Sequence, residues 1–185
     1  VLSFYRQLQK QASEKRVDLF FVMNGDFMDG TGLSTIPPEH LLPLLTSMPW
    51  DAVNIGNHEL YHDETVEYMM DSGFIHHWRG NYLTSNVDVL VSPHLHHHHR
   101  PLGNRYTYLY GTYTNTTILT FGFLYNFEGN CNSTRVRTVE QVVQEEWFQS
   151  VLKKDNFNAI MVLAHMDYRD ALVTVILKAI REIVG

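Results

Sequence analysis

Two short apolar runs, Asp18-Leu-Phe-Phe-Val-Met23 and Asp51-Ala-Val-Asn-Ile55, each break on a glycine and then on side chains suited to binding cations. Gly25-Asp26 follows the first, within Asn24-Gly-Asp-Phe-Met-Asp-Gly-Thr-Gly32, and Gly56-Asn57-His58-Glu59 follows the second. Runs of this length and texture read as strands. Strands that end this way bring a carboxylate and an amide oxygen out at one edge of a sheet, where ligands gather in α/β folds. That edge is a place to hold metal ions.

The rest of the chain alternates in the same manner. Val1 to Ala12 reads as a helix from its first residue, with no N-cap and no starting Met, as in a piece of something longer. Val17 to Met23 reads as a strand covered on both faces. Pro37-Pro38 opens a helical stretch from Glu39 to Ser47, in which Pro43 predicts a kink or a short first turn. Asp51 to Ile55 completes a strand-helix-strand unit. Asp63 to Ser72 is helical with Gly73 as its stop, and Asn81 to Val87 is the next strand. From Arg105 to Phe127 the residues turn β-branched and aromatic, broken at Gly111 and Asn115, which predicts a hairpin. Val139 to Lys153 is helical, Ala159 to Ala164 is a buried strand, and Asp170 opens a last helix through Ile183. The pattern predicts an α/β sandwich around a mostly parallel sheet, with an antiparallel hairpin on one layer.

Length and charge narrow the partners. A chain of 185 residues, 44% of them apolar, buries one sizeable core and favours a single domain. Fourteen basic against twenty acidic residues give a net charge of −6, and the only adjacent basic residues are Lys15-Arg16 and Lys153-Lys154. A nucleic-acid polymer is therefore disfavoured, whereas a small phosphate ester drawn in by metal ions is not. The sequence has neither an 18-residue apolar stretch nor a basic-then-apolar leader. Cys131 is the one cysteine, so no disulfide forms within the chain. Asn115-Thr-Thr and Asn132-Ser-Thr match the glycosylation sequon, a short signal that acquires meaning only on a secretory route. Oligomeric state leaves no mark.

Each site residue has an ordinary reading beside the chemical one. Gly-Asp alone is a turn, with Gly25, Gly30 and Gly32 supplying backbone freedom. Asn57 and His58 occupy the same position after the second strand. An amide oxygen suits a divalent cation and His is the commonest nitrogen ligand or acid/base, yet an Asn turn residue and a solvated His are commonplace. His165 closes the strand ending at Ala164, where a lone His is more often structural than ligating; two other motifs in register favour the ligand reading. His94 and His96 to His99 form the densest imidazole cluster, but five near-consecutive rings cannot all face one ion, and a solvated loop insertion is the better reading. His76-His77 and Trp78 fit either a pocket mouth or, for Trp78, the core.

Taken together, Gly25-Asp26-Phe-Met-Asp29, Gly56-Asn57-His58-Glu59 and His165 resemble the central motifs of the calcineurin-like metallophosphoesterase superfamily, in its nucleotidase branch. Asp26 to Ser34, Gly56 to Tyr61 and Asn81 to Asn86 are most similar to fungal 5′-nucleotidase-like proteins, and the resemblance runs from about Phe4 to Ile183. It implies a metallophosphoesterase-type sandwich of mixed β-sheets flanked by helices. It also implies that Asp26 bridges two divalent ions (Zn, Mn, Fe or Co), that Asn57 and His165 ligate one of them, and that Asn57 and His58 meet the substrate. His58 then stabilises the phosphoryl oxygens or protonates the leaving alkoxide. The expected reaction is hydrolysis of phosphate esters, nucleotides first, by water activated between the two ions. The alternatives are another phosphatase or phosphodiesterase, or a non-catalytic binding module.

Two departures from the family pattern shape the expectation. Its Asp-x-His and Gly-His-x-His motifs are not found, so residues 1–185 read as the central part of a catalytic domain, incomplete at both ends and inactive alone. Many relatives place an Asp three residues after the motif His to orient it; here that residue is Tyr61, with Asp63 or Glu59 as substitutes. The sequons and the fungal resemblance lean toward a secretory route.

Overall fold

A computed structural model describes residues 1–28, 35–90 and 99–185. In chain order its elements are α1 (Leu2–Lys15), β1 (Val22–Asn24), α2 (Leu42–Thr46), β2 (Ala52–Asn54), a 3₁₀ turn (His58–Leu60), α3 (Asp63–Asp71), α4 (Phe74–His77), β3 (Tyr82–Leu83) and β4 (Val87–Leu90). There follow β5 (His99–Pro101), β6 (Tyr106–Tyr110), β7 (Thr117–Leu124), β8 (Thr134–Val136), α5 (Val139–Val142), α6 (Glu146–Lys153), β9 (Ala159–His165) and α7 (Ala171–Val184).

The strands form three sheets. One is wholly parallel, in the order β1-β2-β3, with Val22 opposite Ala52 and Val53 opposite Tyr82. A second pairs the hairpin β6-β7 antiparallel and then β7 with β9 in parallel, from Ile118 opposite Ala159 to Leu124 opposite His165. The third is antiparallel, in the order β5-β4-β8. Ala52, Leu83, Leu109 and Leu163 pack between the first two sheets. On the outer face of the second, Leu119, Phe121 and Phe123 meet Phe148 of α6 and the buried stripe Leu172, Ile176, Ala179 and Ile180 of α7. Val66, Met69 and Phe74 of α3 and α4 cover Val53 and Tyr82 from the other side. This is the expected α/β sandwich of mixed sheets flanked by helices.

Helix ends follow their sequence signals. Asp170 accepts from the Leu172 N–H at 2.9 Å as the N-cap of α7, and Thr138 caps α5 through Gln141. Pro43 stands in the first turn of α2, where its missing N–H costs nothing. Gly73 adopts φ 77° after α3 and starts α4.

Several expected elements are shorter or broken, and side chains supply the reason. The first strand covers only Val22–Asn24; before it, the Asp51 carboxylate accepts from the Phe21 N–H at 2.6 Å, and Leu19 to Phe21 are half-buried instead of covered on both faces. The run Asn81 to Val87 splits into β3 and β4. Between them, Ser85 and Asn86 are fully buried and spend their side chains on the backbone of Arg105, Gly122, Leu124 and Arg137, which carries the chain from one sheet to another. The helix expected over Val139 to Lys153 breaks at Glu145, whose backbone is extended while its carboxylate holds Arg137 and the Trp147 indole. The strand expected to be buried, β9, is half-buried, with Leu163 its one buried residue. No helix among the described residues is long and apolar enough to cross a membrane.

Candidate active site

The carboxyl ends of β1, β2 and β9 converge, and three of the expected residues meet there. Beyond β1 the chain turns through Gly25 at φ 86° and Asp26 at φ 56°. Left-handed backbone is natural for Gly and tolerated by Asp. A Cβ at Gly25 would lie 2.6 Å from the Gly56 nitrogen, so the two loops pack backbone on backbone and admit no larger residue there.

The loops are joined by Glu59. Its carboxylate, with no exposed surface, accepts the N–H groups of Asp26 (2.9 Å), Phe27 (3.0 Å), Met28 (2.9 Å) and Gly56 (2.7 Å). Burial pushes this carboxyl above the usual range and the amides draw it part of the way back. The Glu59 carboxylate therefore fixes Asp26 instead of orienting His58. Asp63, the other substitute, accepts from the Ser133 N–H at 2.8 Å.

With the loops so held, Asp26 Oδ1 accepts from the His58 N–H at 3.1 Å, and Oδ2 lies 3.0 Å from His165 Nε2 and 3.8 Å from His58 Nε2. Asn57 Oδ1 lies 3.1 Å from the same His165 nitrogen. The other His165 nitrogen, Nδ1, is 2.7 Å from the Asn24 carbonyl. A carbonyl only accepts, so Nδ1 donates to it, and Nε2, which faces the Asp26 and Asn57 oxygens, is the nitrogen that would be turned to a cation, as in a metal-ligating His. Asn54, fully buried, ties the strand ends by donating to the Phe123 carbonyl (3.1 Å), the Leu163 carbonyl (3.2 Å) and Asn24 Oδ1 (3.1 Å).

Carboxylate oxygen, amide oxygen and imidazole nitrogen make a donor set whose chemistry suits a divalent ion, and both oxygens lie beside the same ring nitrogen. Among the described residues no group of three or more His, Cys, Asp or Glu is arranged as a metal site by itself, and the third donor here is the Asn57 amide. An open cleft of about 630 Å³ adjoins the cluster, lined by Asn24, Tyr125, His165, Met166, Asp167 and Asp170.

Trp78 is buried against Phe74, in the core and not at a pocket mouth, while His76 and His77 are exposed on α4. Of the histidine cluster, His99 begins β5 opposite Leu90; His94 and His96 to His98 lie outside the described residues, as do Asp29, Gly30 and Gly32. Both sequon residues, Asn115 and Asn132, are exposed. Sequence reasoning missed Asn54 and the actual task of Glu59. The signal for Asn54 is one polar residue inside an apolar run.

The family model for calcineurin-like phosphoesterases matches residues 2–182. An uncharacterized protein of Schizosaccharomyces pombe is 35% identical over 175 residues, covering 91% of this chain and 28% of the relative. A secreted protein of Arthroderma benhamiae is 32% identical over 154 residues, 82% of this chain and 22% of the relative. The crystal structure of 5′-nucleotidase from Candida albicans superposes with a TM-score of 0.89 at 27% identity, over 98% of this chain and 34% of that one. The chain thus spans about a third or less of each of these three proteins.

Proposed function

The chain belongs to the calcineurin-like phosphoesterase family, and from that premise we propose that it carries the metal-binding centre of a phosphoric ester hydrolase acting on nucleotides. One observation carries this reading: Asp26 Oδ2 and Asn57 Oδ1 lie 3.0 and 3.1 Å from His165 Nε2, with the His58 imidazole 3.8 Å from the same carboxylate oxygen. The likeness to the Candida 5′-nucleotidase supports nucleotides as the substrate class. In this reading residues 1–185 form the central part of the catalytic domain, and further ligands come from elsewhere in the full-length protein.

Asp26, Asn57 and His165 would hold two divalent ions, which when bound would neutralise phosphate charge and make water nucleophilic. The chain's own residues then divide the work. Asn24 fixes the His165 ring through Nδ1. Glu59 fixes the loop from which Asp26 reaches out. His58, about a third exposed beside Asp26, offers its ring to the phosphoryl oxygens or gives a proton to the departing alkoxide. A secretory route is supported by the exposed sequon residues and by the relative named as secreted.

The test is turnover by the full-length protein of nucleoside monophosphates, p-nitrophenyl phosphate and its bis-ester. Monoester hydrolysis is expected, falling on the order of a hundredfold or more in Asp26→Ala and in His58→Ala. Near-normal rates in those variants overturn the site. Turnover of the bis-ester alone moves the reading to a phosphodiesterase, and stoichiometric binding without turnover moves it to a binding module.

A further inference from the structure

We propose that Tyr61 is a positioning residue that sets which face of the Asn57 amide is turned to the cation. The proposal rests on reading Asp26, Asn57 and His165 as cation ligands. An Asn side chain ends in two groups of nearly equal size and opposite polarity, and only its oxygen can face a positive charge. Half a turn about its last torsion replaces that oxygen with two N–H donors. In such a reversed state the NH₂ would point at the Asp26 carboxylate and compete with the ion.

The structure opposes the reversal from the far side. Asn57 Nδ2 donates to the Tyr61 hydroxyl at 2.7 Å while Oδ1 faces His165 Nε2 at 3.1 Å. Asn57 is 9% exposed, so little water reaches an NH₂ deprived of that acceptor. The hydroxyl is itself held in place. Residues 57 and 61 flank the 3₁₀ turn His58–Leu60, and the hydrogen bond between their side chains spans it. Glu59 anchors that turn from beneath, and the Leu60 carbonyl accepts from the Cys131 N–H at 2.8 Å. The Tyr61 ring stands between the His58 ring, 4.8 Å away, and the Phe127 ring, 5.8 Å away. The Tyr61 hydroxyl is thereby aimed at the neighbouring amide and grips it.

Removing the hydroxyl should therefore matter only while residue 57 has a wrong face to present. A carboxylate has none, because either oxygen can ligate. The experiment is Mn²⁺ titration of the full-length protein by calorimetry, with Tyr61→Phe made in the native background and in Asn57→Asp, and Asp26→Ala as the control. We expect Tyr61→Phe to weaken Mn²⁺ binding about tenfold in the native background, the lower end for loss of a ligand-orienting partner, and less than about twofold in the Asn57→Asp background. Equal losses in both backgrounds, including those from a fold defect, overturn the proposal, and so does native affinity in Tyr61→Phe while Asp26→Ala binds weakly. Native affinity in Asp26→Ala instead overturns the underlying ligand reading.

Discussion

The two ends of the parallel sheet β1-β2-β3 are held by the same device in different surroundings. At the carboxyl end one buried carboxylate, Glu59, gathers four backbone N–H groups from two loops. At the amino end two carboxylates share the work. Asp51 accepts from Phe21 at 2.6 Å, and Asp18 accepts from the N–H groups of Tyr113 (2.9 Å) and Thr114 (3.1 Å) and from the Thr114 hydroxyl. Burial pushes the half-buried Asp51 upward, while hydrogen bonds from Thr114 and then Tyr113 draw Asp18 downward. Water stands in for a lost contact at Asp18 and cannot at Glu59. The site end therefore depends on one residue, and the far end does not.

The largest effect that could break this contrast is Glu59→Ala. Four donors stranded at about 1 to 3 kcal/mol each, less what water recovers, predict a loss on the order of 4 kcal/mol in urea unfolding. A loss below about 1 kcal/mol would make the two ends equivalent.

A smaller effect sharpens the contrast through pH. Asp51 has a folded pKa above its unfolded value, so its contribution is fully present below the unfolded pKa and is lost as pH rises through the folded one. Asp18 has a folded pKa below its unfolded value, so its contribution is present above the unfolded pKa and is lost as pH falls through the folded one. Urea midpoints at about pH 3, 5 and 7 should show the native chain losing ground to Asp51→Asn as pH rises and gaining on Asp18→Asn. Slopes of the same sign would refute the assignment. The smallest effect is Asp18→Asn at neutral pH, where the midpoint should move far less than for Glu59→Ala.

What the residues disclosed in advance follows the same division. Asp26, Asn57 and His165 were legible because each ends an apolar run, and strand ends in an α/β fold share an edge. The hairpin around Gly111 and Asn115 and the cap at Asp170 were legible because turn and cap chemistry is local. Glu59 was not, since four amides from two loops converge on it only after both strands are paired. Nor was the break at Ser85-Asn86, where β-compatible residues satisfy distant carbonyls with their side chains. Glu145 ends a helical pattern for a similar reason: Arg137 and Trp147 hold its carboxylate, and neither contact leaves a periodic trace. Tyr61 was visible as a departure from the family pattern, but its bond to Asn57 was not.

The left-handed backbone at Asp26 bears on how this chain can change over generations. At φ 56° the residues that sit without strain are Gly, Asn and Asp itself; an ordinary side chain costs roughly 1 to 2 kcal/mol. In the genetic code, Asn and Gly are each a single base change from Asp. A descendant that surrenders the carboxylate can thus keep its shape by the shortest mutational step available, so this loop is a place where a lineage can exchange a charge and retain its fold.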